Sequence, residues 1–245
     1  MVRPRIVTTL LAVLVLLSTS SAWALKSGDD FVAVGAAYIS PNVSADSLSY
    51  AGDIYRPGHN PLPGPLAIQS ASASGTSTAA IILGHMFTDN LALVLDIGFP
   101  PKTNLSMSQA KLTGGAVTEL GSVKLWSPML VGRYYFLDAA SAFRPYLGAG
   151  VTYTSFKSLS LNSAGQGLAP NGASIDSAWG WVASAGFNYD IKETNYFLTG
   201  SLTYVDTKST LRISNLVDPA PLGPSSTTNL KFGNTIGFVG VGYRF

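Results

Sequence analysis

The chain has 245 residues, no cysteine, 15 basic and 13 acidic side chains, with 47% hydrophobic and only 11% charged residues. A soluble domain would carry roughly 25% charged residues. Near-neutral charge without a basic stripe argues against a nucleic-acid partner, and two histidines without cysteine remove most metal and redox chemistry, so no metal and no cofactor are expected.

The first element in the chain is a leader. Arg3 and Arg5 precede the apolar run from Ile6 to Leu17, and a Ser/Thr-rich stretch closes on Ala22-Trp23-Ala24. That layout predicts a secretory signal peptide over 1–24, cleaved after Ala24, with 25–245 as one exported domain. About a dozen apolar residues are too few for a permanent anchor, since a spanning helix needs about twenty. Loss of Arg3 and Arg5 leaves 13 residues of each sign. No later segment approaches the length of a spanning helix, and in lipid only helices and closed barrels satisfy every backbone group. The reading is therefore an all-β, eight-stranded antiparallel up-and-down barrel in the bacterial outer membrane.

Period-two patterning predicts strands over 30–40, 77–87, 91–99, 123–137, 143–156, 175–190, 196–213 and 229–245. In the third, Leu91, Leu93, Leu95, Ile97 and Phe99 share a face assigned to lipid, opposite Ala92, Val94, Asp96 and Gly98. The fifth sets Leu147, Ala149, Val151 and Tyr153 against Arg144, Tyr146, Gly148 and Gly150. The sixth sets Trp179, Trp181, Phe187 and Tyr189 against Gly180, Ser184 and Asn188. The connections 88–90, 138–142 and 191–195 are short and rich in turn residues. Those over 41–76, 100–122, 157–174 and 214–228 are long and rich in Gly, Pro, Ser and Asn. Short periplasmic turns alternating with long external loops are the expected barrel plan. Phe87, Tyr134, Tyr135, Phe136, Phe143, Tyr189, Tyr196, Tyr243 and Phe245 then fall at the periplasmic rim as an aromatic girdle, with Tyr38, Trp179 and Trp181 at the opposite rim.

Four blocks of sequence resemble the OmpW family of small outer-membrane barrels. They are the segment from Gly84 to Leu93, the segment from Leu130 to Phe136, the Arg144-Pro145-Tyr146 block running on to Tyr153, and the closing Val241-Gly242-Tyr243-Arg244-Phe245. The resemblance implies a narrow barrel with an apolar lumen that passes small hydrophobic molecules. The long Pro/Gly/Ser-rich first loop, which includes the stretch from Arg56 to Pro65, departs from it, as do the second and fourth loops.

Eight strands enclose room for side chains or one small ligand, not a wide aqueous channel. Val94, Met129, Val131, Tyr146, Ile236 and Phe238 are the candidate lumen or ligand-path residues, and a plugged lumen is an equal alternative for such positions. Asp96, Arg133 and Arg144 face inward on the same parity, where they could pair into a network closing the lower lumen. Pro100, Pro101 and Pro128 lack ladder donors and fall on consecutive strands near their external ends, where ordinary strand termination competes with a gap in the wall. Tyr243 and Phe245 form the aromatic C-terminal signature expected to be recognised by the barrel-assembly machinery. Expected partners are outer-membrane lipids, that machinery and a small hydrophobic ligand. Oligomeric state and substrate identity are not legible. Two competing classes are an adhesive barrel with a plugged lumen, and a lipid-modifying enzyme built on His59 and Asp53. No nucleophile elbow accompanies His59, and the chain is read as non-enzymatic.

Overall fold

The computed structural model describes residues 25–47, 49–50, 54–56, 59–62, 70–108, 116–169, 172–214 and 226–245. The expected signal peptide, 1–24, lies outside them. Among the described residues eight strands form the wall: β1 (Asp30–Ser40), β2 (Thr76–Met86), β3 (Leu91–Gly98), β4 (Met129–Tyr135), β5 (Phe143–Leu161), β6 (Ala178–Asp190), β7 (Tyr196–Ile213) and β8 (Ser226–Arg244). Each is antiparallel to its chain neighbour, and β1 pairs with β8 over ten rungs from Phe31–Arg244 to Ser40–Thr235, so the sheet closes on itself. Below that seam the Phe245 amide donates to the Asp30 carbonyl at 3.0 Å and the Asp30 amide returns a bond to the Phe245 carbonyl at 3.3 Å. The last residue thus completes the ladder. No helix among the described residues is long and apolar enough to cross a membrane.

The alternation read from the sequence is the alternation of burial. Leu91 and Leu93 are exposed outward while Ala92, Val94 and Asp96 are buried, and the same division runs through β5, β6 and β7. One assignment needs correction. Tyr135 does not belong to the outward girdle but is fully buried inside the barrel. A strand cannot turn three consecutive side chains to one face. Tyr134 and Phe136 take the outward positions, with ring centroids 5.5 Å apart, so Tyr135 faces in.

The external half departs further from expectation. The predicted fourth strand over 123–137 is two strands, Thr118–Trp126 and β4, interrupted at Ser127-Pro128. The segment expected as a loop after Pro101 contains a strand, Lys102–Ser108, which pairs with Thr118–Trp126 and with Ser70–Ala73. Strand β5 runs on to Leu161 and changes partner at Ser155, taking up Thr118–Trp126 above the membrane-level ladder. The sixth strand is likewise split, with Ala173–Ile175 detached from β6 and paired to β7. A short helix, α1 (Ser163–Leu168), is capped by Asn162, whose side chain accepts from the Gly165 amide at 2.9 Å. The described parts of the long connections thus add a second storey of sheet.

The lower barrel is narrow because glycines on its wall make room for rings. A side-chain carbon at Gly84 would strike the Phe31 ring, and one at Gly242 the Phe197 ring, while those two rings meet edge to face at 5.8 Å. Overpacking such a site costs about 1–3 kcal/mol. Gly84→Val should therefore lower the urea midpoint of the refolded barrel and weaken its heat-modifiable gel shift, whereas Ala79→Val, on an outward position, should leave both unchanged.

Candidate functional site

The periplasmic half of the lumen is closed by a column of buried cations and aromatic rings. Arg133 and Asp96 both point inward, on adjacent strands, with the Val94–Val131 rung between their own rungs. Arginine is long enough to cross that interval, and Nη2 of Arg133 donates to both Asp96 oxygens at 3.0 and 2.9 Å. The Arg133 guanidinium lies over the Tyr146 ring at 4.7 Å, Tyr146 lies against Tyr135 at 5.2 Å, and the Arg144 guanidinium covers the other ring at 4.8 Å. Asn188 donates to the Tyr135 hydroxyl at 3.3 Å. Arg133 is 2% and Arg144 1% exposed.

Arg144 does not join the carboxylate as the sequence suggested. It donates to backbone carbonyls instead: Leu25 at 2.6 Å, Leu137 at 3.4 Å, and Asp89 at the β2–β3 turn. It therefore ties the entry of the chain and two periplasmic turns to the column. A second buried pair escaped the sequence reading. Arg244 donates to Asp190 at 2.6 Å and to the Thr194 carbonyl at 3.0 Å. The inward parity of Arg244 was readable, but its partner sits at the end of another strand and carried no signal of its own.

Above this floor the lumen opens. A cavity of about 100 Å³ has Asp96 at its base and Ala37, Ile82, Met129, Ile236 and Phe238 among its walls. Toward the external end lies a second, almost wholly apolar cavity of about 90 Å³, lined by Leu120, Leu159, Leu161, Leu211 and Leu230 and bordered by α1 at Gly165. Leu105 and Phe232 line both cavities, and Phe156 packs against Phe232 at 5.3 Å between ring centroids. Of the sequence-derived path residues, Met129, Ile236 and Phe238 face the inner cavity, whereas Val94, Val131 and Tyr146 lie below it in the packed floor.

The inner cavity also reaches the wall where that wall is unpaired. The β3–β4 ladder ends at the Asp96–Met129 rung and resumes only at Lys102–Lys124. Between them lie Pro100, Pro101 and Pro128, and among the described residues the one backbone bond that crosses is the Leu125 amide to the Pro101 carbonyl at 3.3 Å. Each lip is fastened away from the interruption. The Phe99 amide donates to Ala79 on β2, while the Pro128 carbonyl accepts from Tyr153 and from the Thr152 hydroxyl on β5. Ile97, Phe99, Pro101, Leu125 and Ser127, which flank this seam, all line the cavity. Tyr243 and Phe245 sit elsewhere, at the periplasmic rim, with their rings stacked at 6.4 Å and Tyr196 against Tyr243 at 5.1 Å. His59 falls in a short strand, His59–Leu62, and Asp53 lies outside the described residues.

Removing one partner of a buried ion pair strands the other, at a cost of about 3–5 kcal/mol. Arg133→Leu and Asp96→Leu should each lower the unfolding free energy measured in lipid vesicles by that order. The double variant should recover much of the loss, and strictly additive losses would contradict pairing as the reason for their burial.

Comparison with known proteins agrees with this architecture. The OmpW family profile matches residues 26–245. Outer membrane protein W of Vibrio cholerae serotype O1 is 30% identical over 236 residues, 96% of this chain and 97% of that one. The crystal structure of the outer membrane protein OprG from Pseudomonas aeruginosa superposes with a TM-score of 0.75 at 23% identity, covering 92% of this chain and 99% of that one. The structure of outer membrane protein AlkL in lipid bilayers superposes at 0.56 with 19% identity, covering 94% and 96%. The chain belongs to the OmpW family and is an outer-membrane β-barrel.

Proposed function

We propose that this barrel takes small hydrophobic molecules from the external side into its inner cavity and releases them sideways into the membrane through the β3–β4 seam. The observation that carries the reading is the placement of that cavity. Its base is the paired Asp96, with the closed column of Arg133, Tyr146, Tyr135 and Arg144 beneath it, and its wall includes both lips of the interrupted ladder. An apolar molecule entering from outside meets leucine and phenylalanine surfaces in both cavities, then a charged floor it has no reason to cross. The lips are apolar as well, with Phe99 and Trp126 exposed on the outward face.

The prolines are the chemical reason for the seam. A proline has no amide to give to a ladder, so Pro100, Pro101 and Pro128 keep the edges apart where an ordinary strand pair would zip shut. Lumen residues Met129, Ile236 and Phe238 supply the apolar approach. Val94, Val131 and Tyr146 belong to the floor that diverts it. In this reading the protein is a transport barrel and not an enzyme, so His59→Ala should leave the membrane lipids unmodified and transport unchanged. The Tyr243 and Phe245 pair serves insertion by the assembly machinery.

The test is to restore the missing donors. Pro100→Ala, Pro101→Ala and Pro128→Ala combined should slow uptake of a fluorescent apolar compound into reconstituted vesicles several-fold, with the heat-modifiable shift retained. Uptake at the unaltered rate would reject lateral release.

A further inference from the structure

Three lysines stand side by side on the outward wall above the membrane-level ladder. Lys102 opposes Lys124 across one pair of strands, and Lys124 opposes Lys157 across the next. All three are exposed. Alternation puts Lys124 on the face of Trp126, two residues away, and Lys157 on the face of Tyr153, four residues away. Directly opposed side chains in an antiparallel pair have Cβ atoms about 4.5–5.5 Å apart, and like charges so placed destabilise the pair.

Elsewhere the same barrel neutralises this arrangement itself. Lys208 opposes Lys231, and Asp46 comes to 3.1 Å from the Lys231 ammonium. The hydrogen bond and charge of Lys231, with Lys208 adding to them, hold the Asp46 carboxyl below the usual carboxylate range. Lys102, Lys124 and Lys157 form no ion pair with an acidic side chain among the described residues. Glu119, on the strand of Lys124, is engaged instead by the Asn104 side-chain amide at 3.4 Å.

Depth bears on which anions this row can meet. On β5 the outward residues Phe143 and Tyr153 are ten residues apart; at about 3.3 Å per residue and a tilt of about 40° they bracket about 25 Å, the height of a barrel's apolar band. Tyr153 packs against Trp179 at 5.2 Å in the external aromatic belt. Lys157 lies about 10 Å above that belt on the same arithmetic, at headgroup level. The rings below the row would meet acyl chains, which a free phosphate ion lacks.

We propose that Lys102, Lys124 and Lys157 bind the phosphates of the glycolipid that fills the outer leaflet of the outer membrane. Lys102–Lys124 is the rung at which the ladder resumes above the seam, so a phosphate bridging them ties the two strands together just beyond the prolines. The site lies on the lipid face, and its existence does not rest on passage through the lumen.

The full barrel in detergent micelles can be titrated with bisphosphorylated lipid A, with its dephosphorylated form, and with inorganic phosphate. Wild type and Lys26→Gln, a control at the periplasmic end, should bind bisphosphorylated lipid A alike. The triple variant Lys102→Gln, Lys124→Gln, Lys157→Gln should bind it about tenfold or more weakly, because each lysine near an anionic surface contributes separately. The single variant Lys124→Gln should fall between them, and a heat-modifiable shift confirms that each is folded. Dephosphorylated lipid A should bind wild type no better than the triple variant binds the phosphorylated form, and inorganic phosphate should not compete. Equal binding by the wild type and the lysine variants, or equal binding of dephosphorylated lipid A, would overturn the site. Competition by inorganic phosphate at matched concentration would overturn the lipid as its occupant.

Discussion

A strand edge left open in hydrocarbon strands a row of amide and carbonyl groups, each costing several kcal/mol without water to receive it. Closure of β1 on β8 removes that edge, and the Asp30–Phe245 bonds complete it at the last residue. Once the sheet is closed with only eight strands, its interior is too narrow to hold both a channel and a packed core. The lower half goes to packing. Charged side chains on the inward parity are buried there, so they pair and stack, which is why Asp96, Arg133, Tyr146, Tyr135 and Arg144 form one column.

The upper half resolves the same constraint differently. The wall between β3 and β4 is interrupted where three prolines withhold their donors, and each lip compensates by bonding to its outer neighbour. The unpaired stretch is short, and the ladder resumes above it through Lys102–Ser108 and Thr118–Trp126. A closed floor and an interrupted wall are therefore complementary features of one cavity. In the proposed route the floor turns an apolar molecule away from axial passage, and the interruption is its way out.

Much of this was legible in the chain itself. Period-two alternation placed six of the eight wall strands to within three residues, and Asp30–Ser40 and Tyr196–Ile213 agree at both ends. What the sequence concealed has physical reasons. The strand Lys102–Ser108 alternates Thr103, Leu105 and Met107 inward, yet it follows two prolines, which ordinarily end a strand. Tyr135 sits among aromatics, and composition alone groups it with the girdle that its parity forbids. Arg144 looked like a partner for Asp96 because both face inward, but its bonds are to carbonyls of turns, which leave no mark in a sequence. Cross-strand neighbours such as Lys102, Lys124 and Lys157 become visible only once register is known.

The central claim is that an apolar molecule occupies the inner cavity and leaves by the seam rather than through the floor. A photoreactive apolar probe, added outside vesicles that contain the barrel and activated during uptake, maps its own route by the residues it labels. Labels on Met129, Ile236 and Phe238, and on the lip residues Phe99 and Leu125, are the predicted result. Labels on Tyr135, Asn188 and Phe197, beneath Asp96, would contradict it.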